Sequence, residues 1–152
     1  MTLVRVNKDN LDEYEEFIKK HPKGLFQHSS KWAKVKSAWK FEAIMLKNDS
    51  GEIKGSAAVL IRSIPIIKNS LMYCCRGFVC DENDFDTFDK LFNGLIELGK
   101  EYKAYCIKID PEIVIQNEAY KKHLIEKGFI ELNPGCMDFE NVQPRFVYCF
   151  DY

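Results

Sequence analysis

Residues 41–65 of the 152-residue chain read FEAIMLKNDSGEIKGSAAVLIRSIP, and this stretch carries the clearest signal for a β-sheet. Two largely apolar runs, residues 41–47 and 53–65, lie on either side of the turn sequence NDSG at positions 48–51. Apolar runs separated by a short Asn/Asp/Gly turn are typical of a β-hairpin. We therefore expect two antiparallel strands here, the second of them long.

The segment before this hairpin predicts one strand and two helices. Residues 2–6, TLVRV, have the composition of a strand. Asn10 and Glu13 resemble a capping box, so a first helix should span about residues 11–20. Residues 26–39 predict a second helix. The apolar positions that should form the buried face of the first helix are Leu11, Tyr14, Phe17 and Ile18.

The segment after the hairpin alternates between strand and helix patterns. The expected elements are a strand in SLMYCC (70–75), a helix capped near Asp84 that runs to about Tyr102, a strand in AYCIKIDP (104–111), a helix over about 117–127, and closing strands in FIEL (129–132) and RFVYCFD (145–151). The order β-α-α-β-β-β-α-β-α-β-β predicts one α/β domain over residues 1–152. Its sheet should be mixed but mostly antiparallel, with helices packed on it.

The second predicted helix, FQHSSKWAKVKSAW at residues 26–39, places a charge where an apolar residue is expected. The serines at 29–30 can cap it, and at about 100° per residue Trp32, Val35 and Trp39 form one apolar stripe. Lys36 falls within that stripe. A lysine there needs an anionic partner, or must extend its ammonium group to water while its stem packs on the indoles. Lys36 is therefore a candidate ligand for a phosphate or carboxylate.

Composition restricts the classes of function. The net charge of −1 gives no overall attraction to nucleic acid or membrane. No apolar run approaches the ~20 residues needed to cross a bilayer, and the N-terminal sequence MTLVRVNKDN lacks the apolar core of a signal peptide. We expect a cytoplasmic protein without a transmembrane segment.

The cysteines and histidines show no metal-binding pattern. The six cysteines form no CxxC pair and no Cys/His spacing suited to zinc, so no metal is expected. Adjacent Cys74 and Cys75, together with Cys106, are interpreted as small reduced core residues, although a redox or nucleophilic role stays open. We assign no catalytic role to the three histidines, His21, His28 and His123.

The element order resembles the acetyltransferase-like (GNAT) fold, and several segments resemble one family that uses it, the Fem-type (FemABX) peptidoglycan bridge aminoacyltransferases. The matching segments run in the family's order along nearly the whole chain. They are FQHSSKWAKVKSAW (26–39), YCCRGFVCD (73–81), IKIDPE (107–112), LIEKGF (124–129) and VQPRFVYCFDY (142–152). Each segment alone is a weak signal, but together they are specific.

The resemblance implies a function as well as a fold. Family members typically have two GNAT-like domains and transfer an amino acid from aminoacyl-tRNA to the stem-peptide amine of a lipid-linked or UDP-linked muramyl-peptide precursor. The chain resembles the first, N-terminal domain, so we expect the second to be absent and the isolated chain to be incomplete and inactive. Aminoacyl-tRNA would be the donor substrate, and no cofactor is expected. A lipid-linked acceptor would bring the protein near the inner face of the membrane.

Three candidate residues follow from the earlier matching segments. By resemblance, Lys36 contacts the muramyl-peptide precursor. Arg76 and Gly77 match a basic-Gly turn that can present backbone N–H groups to an anion, or can simply connect a strand to a helix. Phe78 stands where the family usually has proline.

Three further residues follow from the later segments. Asp110 ends a predicted strand, where it could orient or deprotonate the attacking amine, or hold a neighbouring backbone N–H group. Tyr105 corresponds to a tyrosine near the family's cleft, although an aromatic residue in a strand is often part of the core. Arg145 would face the second domain.

Two alternative functions stay open. The chain could be a non-catalytic module that binds a cell-wall precursor or another protein. It could also be a small-molecule N-acyltransferase that uses acyl-CoA. Acetyl-CoA enzymes of the GNAT fold hold the pyrophosphate in a Gly-rich loop at a helix N-terminus, whereas the corresponding turn here has the single glycine Gly77.

Overall fold

The structure is a computed structural model, and it describes residues 1–64, 66, 68–114 and 116–132. Backbone contacts divide the chain into two compact units, Met1–Asn117 and Glu118–Tyr152. The first unit holds every strand of the described residues. In the second unit the described helix is α4, Glu118–Glu126.

The first unit is a five-stranded sheet with helices inserted before β2 and between β4 and β5. In chain order its elements are β1 Thr2–Arg5, α1 Leu11–Lys20, a 3-10 helix Phe26–His28, α2 Ser30–Val35, β2 Lys40–Lys47, β3 Ile53–Ile64, β4 Asn69–Cys74, α3 Phe85–Glu101 and β5 Ala104–Ile109. The strands lie side by side in chain order. Neighbours from β1 to β4 are antiparallel, whereas β4 and β5 are parallel. The predicted mixed, mostly antiparallel sheet is confirmed.

One helix covers each face of this sheet. On one face, Tyr14 and Ile18 of α1 are buried in a cluster with Ala43, Met45 and Ala58. Ile44 points to the opposite face because successive side chains of a strand alternate. There it lies against Gly94 of α3, where an added Cβ would be 2.6 Å from the Ile44 Cδ1 atom. The strand positions of the first unit are therefore buried from both sides, mainly in β2 and β3.

Helix α3 forms the crossover that allows β4 and β5 to run parallel. Its N-cap is the predicted Asp84, whose carboxylate accepts a hydrogen bond from the Thr87 backbone N–H group. Three residues at helical spacing, Phe88, Leu91 and Leu95, are almost fully buried. Since β5 must return in the direction of β4, both strands end at the same edge of the sheet.

Residues 26–39 do not form the single helix that the sequence predicts. A 3-10 helix and the six-residue α2 replace it, and Lys36, with φ −90° and ψ 50°, leaves the helical conformation. The angular spacing of about 100° per residue that a helix imposes therefore does not apply as far as Trp39. Val35 is 68% exposed, and both tryptophans are only half-buried. The predicted buried stripe is wrong, whereas Ser29 is confirmed as the cap of α2 through its bond from Lys31 N.

Two smaller predictions also fail. Asn10 makes no capping bond to α1; its side chain instead accepts from Asn7 N and donates to Arg5 O. Residues 129–132 form no strand in the structure. Phe129 N donates to Leu124 O in the turn that ends α4, so this amide is already used. The predicted strand at residues 145–151 lies outside the described residues.

Candidate functional site

Three candidate residues meet at the edge of the sheet where β4 and β5 end, and a fourth lies near them. Asp110 follows β5, and Arg76 and Gly77 follow β4. Lys36, at the end of α2, is close enough to act on the Cys75 thiol together with the charges of Asp110 and Arg76. We call Asp110 and residues 73–77 the Asp110 cluster. It is the polar wall of the candidate site.

Asp110 holds the ends of β4 and β5 together. It is buried; Oδ1 accepts from Arg76 N at 2.7 Å, and Oδ2 accepts from the Tyr73 hydroxyl at 2.9 Å. Burial raises the pKa of Asp110 above its usual value, while these hydrogen bonds and the charges of Arg76 and Lys108 oppose the shift. The carboxylate therefore holds a backbone N–H group, one of the two roles expected for it.

The turn after β4 has an unusual backbone that fits closely against the end of β5. Arg76 and Gly77 both have positive φ, 58° and 77°. A Cβ on Gly77 would lie 3.0 Å from both Cα and Cβ of Pro111, so only glycine fits this contact without displacement. Gly77 N also donates to Cys74 O at 3.3 Å. Since Asp110 uses the Arg76 N–H group, that group is directed inward in this structure.

His28 connects the segment before α2 to the Asp110 cluster. The ring is 1% exposed; its Nδ1 accepts from Leu25 N at 3.0 Å, and its backbone carbonyl accepts from the Tyr14 hydroxyl. Burial lowers the pKa of His28 to about 4, although the neighbouring carbonyl groups of Cys75, Gly77 and Leu25 act to raise it. His28 is therefore a neutral residue that packs against the turn.

Lys36 presents an ammonium group at the surface beside this wall. Its Nζ lies 5.0 Å from the centroid of the Trp32 ring, a cation–π contact. No carboxylate among the described residues forms an ion pair with it. Lys36 thus extends along the Trp32 indole to the surface, which is one of the two arrangements that the sequence allows. Its charge is available to an external anion.

The Cys75 thiol has no sign of activation as a nucleophile. Burial raises its pKa above the usual value, and the charge of Asp110 acts in the same direction. The Tyr73 hydrogen bond and the cations Arg76 and Lys36 oppose the shift but do not outweigh it. A protonated buried thiol is a poor nucleophile. In the described part of the chain, no group of three or more His, Cys, Asp and Glu residues could hold a metal ion.

Lys23 ties three loops together near the same edge of the sheet. Its Nζ donates to Glu112 O at 2.9 Å and forms an ion pair with Glu82 at 3.2 Å. Glu82 also accepts from Asn117 Nδ2 at 2.7 Å. The loop before the 3-10 helix, the loop before α3 and the segment after Asp110 are therefore joined through one ammonium group.

The N-terminus of α3 is acidic and already capped. Asp84 accepts the Thr87 N–H group, and Asp86 lies in the first turn. Asp81 and Glu82 precede them in the loop. A capped helix N-terminus with carboxylates around it is unfavourable for a further anion such as a pyrophosphate group.

Tyr105 lies apart from this cluster. It sits in β5 where the register shifts against β4, and its side chain is 56% exposed. It lines a shallow cavity with Gly99, Cys106 and Ile107.

Cys106 is exposed, so its assignment to the core is wrong. Cys74 and Cys75 are buried as predicted. Arg145 lies outside the described residues.

Sequence reasoning missed Tyr73 and His28. Tyr73 had a usable signal, because the ends of two parallel strands meet at one edge of a sheet, so that a tyrosine near the end of β4 falls beside Asp110. His28 had none, since its burial depends on Tyr14 and on the distant turn after β4.

No helix of the described residues is long and apolar enough to cross a membrane.

Comparison with solved structures places the fold. A crystal structure of FemX superimposes with a TM-score of 0.73 and 30% identity over 84% of this chain and 32% of that chain. A probable acetyltransferase matches with a TM-score of 0.65 at 13% identity over the whole of both chains. An aminoglycoside acetyltransferase from a soil metagenome matches with 0.64 at 18%. The last two show the GNAT-like fold alone.

Comparison of sequences identifies the family. The lipid II:glycine glycyltransferase of Staphylococcus epidermidis is 36% identical over 120 residues, which are 77% of this chain and 29% of that protein. The Staphylococcus aureus protein of the same name is 36% identical over 105 residues, 68% of this chain and 25% of that protein. The chain thus spans less than a third of each relative. Its residues 10–133 match the FemAB family, and the chain belongs to that family.

Proposed function

We propose that this chain is the precursor-binding part of an aminoacyltransferase of peptidoglycan bridge synthesis. The observation that carries the proposal is Lys36, an exposed ammonium group beside the Asp110 cluster with no carboxylate partner among the described residues. Family membership, and relatives named for action on lipid II, support an anionic cell-wall precursor as the ligand. The ligand group would be a diphosphate or a terminal carboxylate.

The proposed reaction is aminoacyl transfer from tRNA. The stem-peptide amine attacks the ester carbonyl of aminoacyl-tRNA, so that a C–N amide bond forms and the C–O ester bond breaks. The amine loses a proton, and the tRNA hydroxyl leaves with one. Alignment of amine and ester and stabilisation of the oxyanion would supply the rate enhancement, without a covalent protein nucleophile. Because the chain spans less than a third of its relatives, we assign the chemistry to the longer enzyme.

In this proposal Lys36 binds the precursor, and Asp110 positions the wall beside it. Both carboxylate oxygens of Asp110 already accept hydrogen bonds, but each retains a lone pair that could accept from an incoming amine. Arg76 would contribute its positive charge to the same anion. A role for Tyr105 would be separate, since it lies away from this wall.

The decisive experiment compares Lys36→Met with Lys34→Met, which removes another exposed lysine of the same short helix. We expect Lys36→Met to lose about 1.5 to 3 kcal/mol of binding free energy for a soluble UDP-linked muramyl peptide, roughly 10- to 100-fold in Kd. Isothermal titration calorimetry measures this loss. Lys34→Met should bind nearly as the parent does, and equal affinity of Lys36→Met and the parent would refute the assignment.

Two further measurements separate the alternatives. Titration with acetyl-CoA should show no tight binding, because the N-terminus of α3 carries carboxylates; micromolar binding would favour an N-acyltransferase. Incubation of the full-length protein with charged tRNA and precursor should give an aminoacylated precursor. If the precursor binds but no product forms, the chain is a binding module.

A further inference from the structure

A basic and apolar surface around α2 is not explained by precursor binding through Lys36 alone. Seven of the 22 basic residues of the chain, and none of its 23 acidic residues, fall between Lys19 and Lys40. This concentration lies in a chain whose net charge is −1. A local field of this kind attracts anionic partners even though the whole chain does not.

Three lysines of this segment lack a neutralising carboxylate in the described structure. Lys19 and Lys20 lie near Glu16, Lys23 pairs with Glu82, and Lys40 pairs with Glu42. The exceptions, which are exposed and form no ion pair with any described residue, are Lys31, Lys34 and Lys36.

Large apolar side chains lie among these three lysines. Phe26 is 63% exposed and Val35 is 68% exposed. The Phe26 ring meets the half-buried Trp32 ring edge-on at 5.1 Å. Val35 lies four residues after Lys31 and three after Trp32, so these side chains share one side of the helix. We call the surface formed by Phe26, Lys31, Trp32, Lys34, Val35 and Lys36 the α2 patch.

We propose that the α2 patch docks on the surface of an anionic phospholipid bilayer. Lysines around exposed aromatic and aliphatic side chains are the combination that binds the headgroup region, where the apolar tips leave water and the cations remain near lipid phosphates. Where the proposed function holds, docking places Lys36 at headgroup level. Docking therefore favours a lipid-linked acceptor substrate over a soluble one.

The side chains favour a bilayer over other anionic partners. Sites for single-stranded RNA stack successive bases on several aromatic rings, whereas Phe26 is the one strongly exposed ring of the α2 patch and Val35 has no ring. A patch of six residues is far smaller than the roughly 20 to 30 residues that each partner contributes to a stable protein interface. A bilayer needs no shape complementarity, so a small patch is sufficient.

The test is flotation of the full chain with vesicles that contain no muramyl peptide. We expect binding to mixed phosphatidylglycerol and phosphatidylcholine vesicles, and none to phosphatidylcholine alone. The double variants Lys31→Glu/Lys34→Glu and Phe26→Ser/Val35→Ser should each reduce partitioning roughly tenfold. Lys121→Glu/Lys122→Glu, which reverses two exposed lysines of α4, is the matched charge control and should retain most binding.

The outcomes separate this proposal from the role of Lys36. Phe26→Ser/Val35→Ser should bind soluble UDP-linked precursor as the parent does, which also shows that it is folded, while losing vesicles. Absence of vesicle binding, or equal loss in the α4 control, overturns docking. Docking is also overturned if the parent protein binds tRNA through Lys31 and Lys34 but does not float with the vesicles. None of these results alters the calorimetric test of Lys36.

Discussion

The Asp110 cluster and the α2 patch, which adjoin at Lys36, are built in opposite ways. Asp110 is buried and accepts hydrogen bonds from the Tyr73 hydroxyl and the Arg76 backbone N–H group. Helix α2 has no buried residue, and Trp32 contributes a ring contact with Phe26 and a cation–π contact with Lys36. The Asp110 cluster therefore depends on the folded core for its geometry. The side chains of the α2 patch can change at little cost to the fold.

This difference separates positioning from binding. A buried carboxylate with two internal hydrogen bonds is expensive to disturb, because its loss removes the acceptor of two part-buried donor groups. An exposed ammonium group that has no internal hydrogen bond can interact with a ligand without breaking contacts of the fold. Substitutions in the Asp110 cluster should therefore affect stability. Substitution of Lys36 should affect precursor binding, and substitutions elsewhere in the α2 patch should affect bilayer binding.

The largest expected effect is that of Asp110→Ala. Arg76 N would lose its acceptor and the Tyr73 hydroxyl would lose a charged partner, so the free energy of unfolding should fall by about 3 kcal/mol. Urea denaturation measures this fall. Asp110→Asn keeps an oxygen that can accept from Arg76 N, so it should lose less. If Asp110→Ala lost less than about 1 kcal/mol, the cluster would not be an anchor.

The next effect is a pH dependence due to His28. Its pKa of about 4 in the folded protein lies below the ordinary value of 6.5, so the unfolded chain binds more protons between these values. The stability contributed by His28 is complete above pH 6.5 and is lost as pH falls toward 4. The parent should lose about 2 kcal/mol from this residue between roughly pH 6.5 and 5.

Comparison of the parent with His28→Gln across the same pH range isolates this contribution. The raised pKa of Asp110 acts in the opposite sense and the lowered pKa of His21 in the same sense, but both groups are present in both proteins. Thermal unfolding at a series of pH values should show a flatter dependence for His28→Gln. Parallel curves would mean that His28 is not held neutral against the cluster.

A smaller effect is expected from Gly77→Ala. Gly77 and Gly51 both have positive φ, 77° and 86°, but a Cβ contacts Pro111 at position 77 and nothing within 4 Å at position 51. Gly51→Ala should cost about 1 kcal/mol from its backbone alone, and Gly77→Ala about 1 kcal/mol more. Equal losses in chemical denaturation would show that the contact with Pro111 is not restrictive.

The smallest effect is expected from Val35→Ser in the α2 patch. The side chain is 68% exposed, so the free energy of unfolding should change by less than about 0.5 kcal/mol. Thermal unfolding checks this value. A loss above about 1 kcal/mol would mean that the patch supports the fold and would remove the contrast between the α2 patch and the Asp110 cluster.

The sheet and the two long helices were predictable because each has a strong local signal. The NDSG turn fixes the β2–β3 hairpin, and the apolar spacing of α1 and α3 marks the faces that bury Tyr14 and Leu91. These signals act within a few residues of the chain. They needed no knowledge of which elements pack together.

The candidate site was only partly predictable, because its geometry depends on contacts between distant segments. The helix phase assigned Lys36 to a buried face, but the chain leaves the helix at that residue, and the lysine is exposed. Resemblance brought Lys36, Arg76, Gly77 and Asp110 together as candidates, and the structure places them near one edge of the sheet. The partners of Asp110 were not foreseen.

The parallel pairing of β4 with β5 has a consequence for the order of folding. Asp110 and Arg76 are 34 positions apart, and the bond between them closes the loop that contains α3. An antiparallel hairpin such as β2–β3 closes a short loop and loses little chain entropy. The crossover from β4 to β5 closes a longer loop, so its entropic cost is larger. The polar wall is therefore expected among the late events of folding. During synthesis, the ribosome must release Asp110 before the wall can form at all.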